Sequence, residues 1–253
     1  GLCSEQKIIM RKILGYIYIG YYGLIFIGLF LILYPFLWVL LSRKSTYYYA
    51  DKLRKFWGHA SSLLGGMLPV IDYEERIDPR AQYVYCANHM SYLDIVLTGG
   101  FLPTLNFFMA KMELKNIPLF KIWFETIDVP VKRESLRSSH GAFVQAGEKL
   151  DDGMSLIIFP EGRIPKDTPK VKHPLKLGAF KLAIEKQLPV VPVSILDNYK
   201  RLDSYTWSAS PGKMRMKVHK PIETQGLSID DSKELAEKVY SIINQDLQNA
   251  GIV

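Results

Sequence analysis

The chain has 253 residues, 48% of them hydrophobic, with 15 Tyr and 12 Phe. It can therefore bury a sizeable core, and no repeat or low-complexity tract interrupts it. The net charge of +7 suits an anionic partner such as nucleic acid, a phosphate-bearing substrate or an anionic membrane face. Two cysteines, Cys3 and Cys86, exclude a disulfide framework; Cys86 lies in an apolar run and reads as a reduced, buried thiol, which points to a cytosolic catalytic part.

From 13 to 42, thirty residues carry no charged side chain, between Arg11-Lys12 and Arg43-Lys44. About 20 apolar residues cross a bilayer, so this segment is long enough. It exceeds the apolar stretch of roughly 7–15 residues in a secretory signal, and no small-residue cleavage site comes after it. Pro35 leaves two forms open, one helix or a hairpin that enters and leaves the same leaflet. Basic residues at both ends leave the orientation open as well. Tyr16, Tyr18, Tyr21 and Tyr22 suit the headgroup level.

Tyr49, Leu53, Phe56, Trp57, Ala60, Leu63 and Leu64 then recur at helical spacing, with Lys52, Arg54 and Lys55 among them. That pattern predicts a basic amphipathic helix in the membrane interface, or alternatively a surface helix packed on the body. Gly65-Gly66 and Pro69 end it. Residues 1–66 read as membrane-anchoring helices and 67–253 as a separate α/β domain.

In that second part, short apolar runs at 82–87, 106–110, 127–131, 155–159, 190–195 and 213–219 read as strands. Amphipathic stretches near 92–102, 114–124, 136–150 and 174–187 read as helices between them. The alternation predicts a mixed, largely parallel sheet flanked by helices. A last helix over 231–249 carries Leu235, Val239, Ile242, Ile243 and Leu247 on one face, with Asp231 and Glu234 as its capping pair. Pro192 inside the 190–195 run suggests an edge or a bulge, or a buried strand with an irregularity.

Chemistry concentrates at the ends of two of these strands. After the 82–87 strand comes Asn88-His89-Met90-Ser91-Tyr92-Leu93-Asp94. Where an open α/β sheet passes from strand to helix is where such folds place their sites. If Ser91 caps the helix, Asp94 lies in its first turn and reaches back to His89, fixing the imidazole for general-base work. Ser-x-x-Asp is equally a plain capping signature. A second strand end delivers Phe159-Pro160-Glu161-Gly162-Arg163, with Lys166, Lys170, Lys172 and Lys176 downstream. Glycine admits a ligand close to the backbone and arginine grips phosphate with two bonds; a solvated basic loop is the plainer alternative for the lysines. Lys111, Glu113, Pro118 and Arg133 lie between the two blocks.

The order Asn-His-x-Ser-x-x-Asp, Lys-x-Glu-Leu-x-x-x-Pro with a later Arg, Phe-Pro-Glu-Gly and Val-Pro-Val resembles the lysophospholipid (glycerol-phosphate) acyltransferases over about residues 45 to 225. The 1-acylglycerol-3-phosphate acyltransferases are the members it looks most like. The resemblance implies that His89 deprotonates a lyso-lipid hydroxyl, which attacks the thioester of acyl-CoA or acyl carrier protein, while Asp94 orients His89. It implies that Arg133, Glu161 and Gly162 bind the acceptor's phosphate-glycerol portion, with Ser91, Lys111 and Arg163 as further substrate-binding candidates. Neither a metal nor a cofactor is expected.

Two departures bear on the acceptor. The family's third block usually reads Glu-Gly-Thr-Arg-Ser, whereas Arg163 here comes directly after Gly162, and Lys121 stands where the second block commonly has glycine. A non-phosphate lyso-lipid, such as a lyso-aminolipid, is thus an alternative acceptor. A lipid or thioester hydrolase using the same pair is the alternative of another class, and it lacks a Gly-x-Ser-x-Gly elbow. A non-catalytic membrane-binding protein is a third. Membrane lipids, the acceptor and the acyl donor are the expected partners, not nucleic acid, and the catalytic part is expected on the cytoplasmic face of a membrane.

Overall fold

The computed structural model describes residues 2–117, 120–132, 136–171 and 173–253. The chain opens with one helix, α1 (Leu2–Leu40), which runs through Pro35 without a break. Its 39 residues extend about 58 Å at 1.5 Å per residue, so the hairpin form of this segment is not the one adopted. A 3-10 turn at Lys44–Thr46 reverses the chain into α2 (Tyr47–Leu64). The two helices lie antiparallel: Tyr18 and Tyr21 at the middle of α1 donate to the carbonyls of Gly65 and Leu64, and Trp57 Nε1 donates to the Phe26 carbonyl. Phe30, Leu33, Leu37 and Leu41 join the core that also holds Val84, Cys86 and Phe107. The second half of α1 and the inward face of α2 therefore share the body's core.

The orientation of α2 is set by charge pairing. Its inward face carries Ala50, Asp51, Arg54, Trp57, Gly58, Ser61 and Ser62, while Tyr48, Tyr49, Phe56, Leu63 and Leu64 point outward. Arg54 tolerates burial because Asp51 meets it at 2.8 Å and Asn106 Oδ1 accepts from it at 2.7 Å; a buried charge so paired escapes most of its desolvation cost. This corrects the sequence pattern, which set Arg54 on the solvated face: the helix packs on the body by a polar side and leaves much of its apolar side outside.

The sheet has the order β1-β7-β6-β2-β5-β3-β4, with β1 Met67–Tyr73, β2 Val84–Ala87, β3 Asn106–Lys111, β4 Val129–Val131, β5 Ser155–Ile158, β6 Val190–Ile195 and β7 Gly212–Val218. All neighbours pair in parallel except β6 with β7. Helices α3 (Leu93–Phe101), α5 (Leu136–Asp151) and α6 (Gly178–Glu185) form the parallel crossovers, and α8 (Ser232–Asn249) packs against β6. The expected helix over 114–124 is instead a 3-10 turn, Met112–Asn116, and a single turn, α4 (Lys121–Phe124). Strand β1 had no counterpart in the sequence reading, because Pro69 argued for a break; Pro69 sits on an edge strand, where a missing N–H is tolerated. Pro192 lies in a central, fully buried strand, so the buried alternative holds. The capping pair also shifts: Ser228 and Asp231 form the box, with Asp231 Oδ2 accepting from Ser228 N at 2.7 Å.

Candidate active site

Strand β2 runs between β5 and β6, and all three point their carboxyl ends the same way. Cys86 pairs with Ile158 in the ladder, so three residues further on each strand stand His89 and Glu161. Beyond β6, the one-turn helix α7 (Asn198–Arg201) supplies Asn198. Residues far apart in sequence thus meet at one sheet edge, the crevice where parallel strands end.

His89 is 6% exposed and Asp94 is fully buried. His89 Nδ1 lies 3.0 Å from Asp94 Oδ2. The same oxygen accepts from the Met90 and Ser91 backbone N–H groups at 2.7 and 2.8 Å, and Oδ1 accepts from Asn198 Nδ2 at 2.9 Å. Capping and orientation are therefore one device: the carboxylate that ties down the turn before α3 also holds the imidazole. An acceptor carboxylate opposite Nδ1 keeps the proton there and leaves Nε2 with the lone pair. The ring also stacks on Phe159, 4.1 Å between centroids and 16° between planes. The His89 backbone N–H donates to Glu161 Oε1 at 2.8 Å, and Asn88 ties the same turn to β6 through two bonds with Ile195, 2.9 and 2.7 Å. A histidine fixed on so many sides can take a proton from a hydroxyl with little reorganisation.

A cavity of about 1350 Å³ opens at His89. Its polar end is lined by Glu161, Gly162, Arg163, Lys166, Lys176 and Lys111. Gly162 has φ +77°, and a Cβ there would stand 2.8 Å from Lys176 Nζ, so glycine lets that lysine close over the loop. The other end is apolar, walled by Phe26, Trp57, Ile95, Val96, Phe108 and Trp123. There α2 and α3 cross backbone to backbone, since a Cβ on Gly58 would come within 3.0 Å of Gly100 Cα. Arg54 and Asp128 also line this end. Burial raises the Asp128 carboxyl, an effect that Arg54 and the Phe108 N–H partly offset.

A model of the acyltransferase family matches residues 70–196, which contain both strand-end blocks. The chain belongs to the acyltransferase family. The 1-acyl-sn-glycerol-3-phosphate acyltransferase of Saccharomyces cerevisiae is 30% identical over 202 residues, covering 76% of this chain and 64% of that protein. A probable enzyme of the same name from Mycoplasma pneumoniae is 30% identical over 194 residues, 71% of each. The crystal structure of the 1-acyl-sn-glycerophosphate acyltransferase PlsC from Thermotoga maritima superposes with a TM-score of 0.77 at 27% identity, covering 96% of this chain and 97% of that one.

Within this acyltransferase, His89, Lys111, Glu161, Gly162 and Arg163 all line the cavity. Ser91 does not: it is fully buried, and its hydroxyl donates to the Leu202 carbonyl at 2.8 Å, so it holds loops together. Glu161 is 1% exposed, and one of its oxygens is engaged by the His89 backbone. Lys111 pairs with Glu113 at 3.2 Å on the rim. Arg133, Pro118 and Lys172 lie outside the described residues. Two residues escaped the sequence reading. Asn198 sits after Asp197 in an undistinguished turn, with no motif to mark it. Arg54 was visible only as one of several basic residues on a helix. Burial pushes the Cys86 thiol up, which leaves it an inert core residue.

Proposed function

We propose that this acyltransferase moves a fatty acyl group from a soluble thioester, acyl-CoA or acyl carrier protein, to the free hydroxyl of 1-acylglycerol-3-phosphate at a membrane surface. The observation that carries the reading is the cavity that joins the His89–Asp94 pair and a cationic loop at one end to an aromatic and aliphatic chamber at the other. The acyl chain occupies the chamber and the acceptor's phosphate lies towards Arg163, Lys166 and Lys176. His89 Nε2 takes the hydroxyl proton as the oxygen attacks the thioester carbon. The C–O bond forms, the tetrahedral intermediate collapses, the C–S bond breaks, and the proton passes from His89 to the departing sulfur.

The relatives' names support the acceptor, since each is named for action on 1-acyl-sn-glycerol-3-phosphate. Membrane seating is supported by α1, which over Lys12–Leu40 is long and apolar enough to cross a bilayer, and by the outward aromatic and leucine side chains of α2. Because α1 packs along the body through Phe30, Leu33 and Leu37, we read the two helices as lying with their exposed apolar side in the bilayer and the cavity beside it. The catalytic body is then on the cytoplasmic side, where thioester donors are made.

The test is acyl transfer by purified protein in detergent, with labelled palmitoyl-CoA, a panel of lyso-lipids and His89→Ala in parallel. Transfer to lysophosphatidic acid that the substitution abolishes is the expected result. Transfer only to a lyso-lipid without phosphate moves the protein to another pathway. Acyl release with no acceptor present would replace the transferase step by hydrolysis.

A further inference from the structure

Between α7 and β7 the chain forms a short loop over 202–210, closed by an antiparallel bridge between Leu202 and Ala209. It is fastened on three sides. Towards the catalytic turn, Ser91 Oγ donates to the Leu202 carbonyl at 2.8 Å and Tyr92 N donates to Ser204 Oγ at 3.1 Å. Towards the cationic loop, Tyr205 Oη donates to the Ile164 carbonyl at 2.7 Å. Towards α1, Ser208 and Ala209 press on Gly15, where a Cβ would stand 2.8 Å from Ser208 Oγ. One loop therefore touches the histidine turn, the cationic loop and the N-terminal helix.

Its tip is aromatic and outward. Trp207 is 53% exposed and stacks on Tyr92, itself 47% exposed, with 5.7 Å between ring centroids. Tyr205 is also exposed, and Tyr92, Ser204 and Tyr205 line the cavity mouth. The loop's one charged side chain, Asp203, turns inward to accept from the Tyr205 and Thr206 N–H groups at 2.8 and 3.1 Å. Trp207 has φ +54°, a conformation that strains any bulky residue, and strain held at an exposed aromatic points to use. Next to the Gly15 contact, Ile13, Leu14, Tyr16 and Ile17 are all exposed, so apolar surface runs from α1 to the loop and on to the mouth.

We propose that the 202–210 loop is a docking lip for a lipid bilayer, with Trp207 and its stacked partner Tyr92 seated at the headgroup level. Tryptophan and tyrosine favour that level because their rings are apolar and their N–H or O–H is not. The lip holds the cavity mouth against the bilayer, so that a lyso-lipid enters sideways without crossing water. Because the loop also grips the histidine turn and the cationic loop, seating and site geometry are joined. The inference rests on the membrane reading given above and adds the surface that presents the site to it.

The test uses the full chain with Trp207→Gly and Trp207→Tyr. Glycine suits φ +54°, so its thermal midpoint is expected not to fall below that of the wild type. For lysophosphatidic acid carried in phosphatidylcholine–phosphatidylglycerol vesicles, Trp207→Gly is expected to raise KM about tenfold, the loss of one interfacial ring. A hexanoyl acceptor dissolved as monomers keeps its KM and kcat, and Trp207→Tyr restores vesicle use. Equal loss on both acceptors would overturn the proposal, as would loss confined to the acyl carrier protein donor, which would make the lip a protein-docking surface. A second arm needs no turnover: the emission difference between wild type and Trp207→Phe is quenched by bromolipids in vesicles that the protein floats with. Flotation without quenching overturns the lip alone; failure to float overturns the membrane reading beneath it.

Discussion

Asn198 offers the sharpest check on how the histidine is held. Its Nδ2 donates to Asp94 Oδ1 at 2.9 Å in a fully buried setting, on the side of the carboxylate away from His89. A hydrogen bond to a charged group is worth about 1.5–3 kcal/mol net, and leaving a buried acceptor unpaired carries a cost of the same order. Oδ2 keeps its Met90 and Ser91 donors at 2.7 and 2.8 Å, so the turn survives the loss of Asn198 and the lower end of that range applies. Asn198→Ala should lower kcat about tenfold, roughly 1.4 kcal/mol, with KM little changed. Asn198→Asp should be worse, because it sets a second carboxylate against Asp94 in a dry site, and the acid limb of its pH–rate profile should move upward. Steady-state kinetics over pH, with circular dichroism to confirm folding, reads both. If Asn198→Ala keeps wild-type kcat, or if the aspartate variant is the more active, Asn198 does not position the pair and the reasoning fails.

Other outcomes rest on the same geometry. Val96 lines the apolar end of the cavity; Val96→Trp should cut palmitoyl transfer about tenfold or more while sparing an octanoyl donor, since each methylene in an apolar pocket is worth roughly 1–3 kcal/mol, and a chain-length series checks it. Arg54→Met strips the cation from buried Asp128 and leaves Asp51 only its 2.6 Å pair with Lys55; it should cost about 3–5 kcal/mol in denaturant melts, part of which Asp128→Asn added to it restores. Gly162→Ala meets both the left-handed backbone, φ +77°, and Lys176; it should raise KM for the acceptor more than it lowers kcat. Burial alone would raise the Asp197 carboxyl from its usual 3.8, but Arg215, bonded at 2.5 and 2.9 Å, outweighs burial and holds it lower. A depressed carboxyl stabilises fully above its unfolded value and loses that stability as pH falls through the folded one. Arg215→Gln should therefore lower the thermal midpoint at neutral pH, with the gap to wild type closing below about pH 4.

Much of the fold is local information. Strand β6 matches its apolar run residue for residue, and α5, α8, β3, β5 and β7 fall within one or two positions of theirs, because burial on both faces writes an apolar run and burial on one face writes a helical period. The His89–Asp94 pairing was legible too, since a five-residue separation across a capped turn brings the two together by chain geometry alone. Strand β1 was hidden because Pro69 carries the same local signal at a sheet edge as at a chain break. Arg54 was placed outside because a charge on a helix is normally solvated, and nothing within its own helix shows that Asn106 and Asp128 wait across the interface.

By itself, then, the sequence determined the elements, their order and the one pair made by neighbours. The tertiary structure decided which strands stand beside β2. Only that arrangement carries Glu161, 72 residues from His89, to its backbone N–H, and Asn198, 104 residues from Asp94, to its carboxylate. Such partners are chosen by the register of parallel strands and the handedness of their crossovers, which depend on how whole faces pack and leave no mark in the residues that meet.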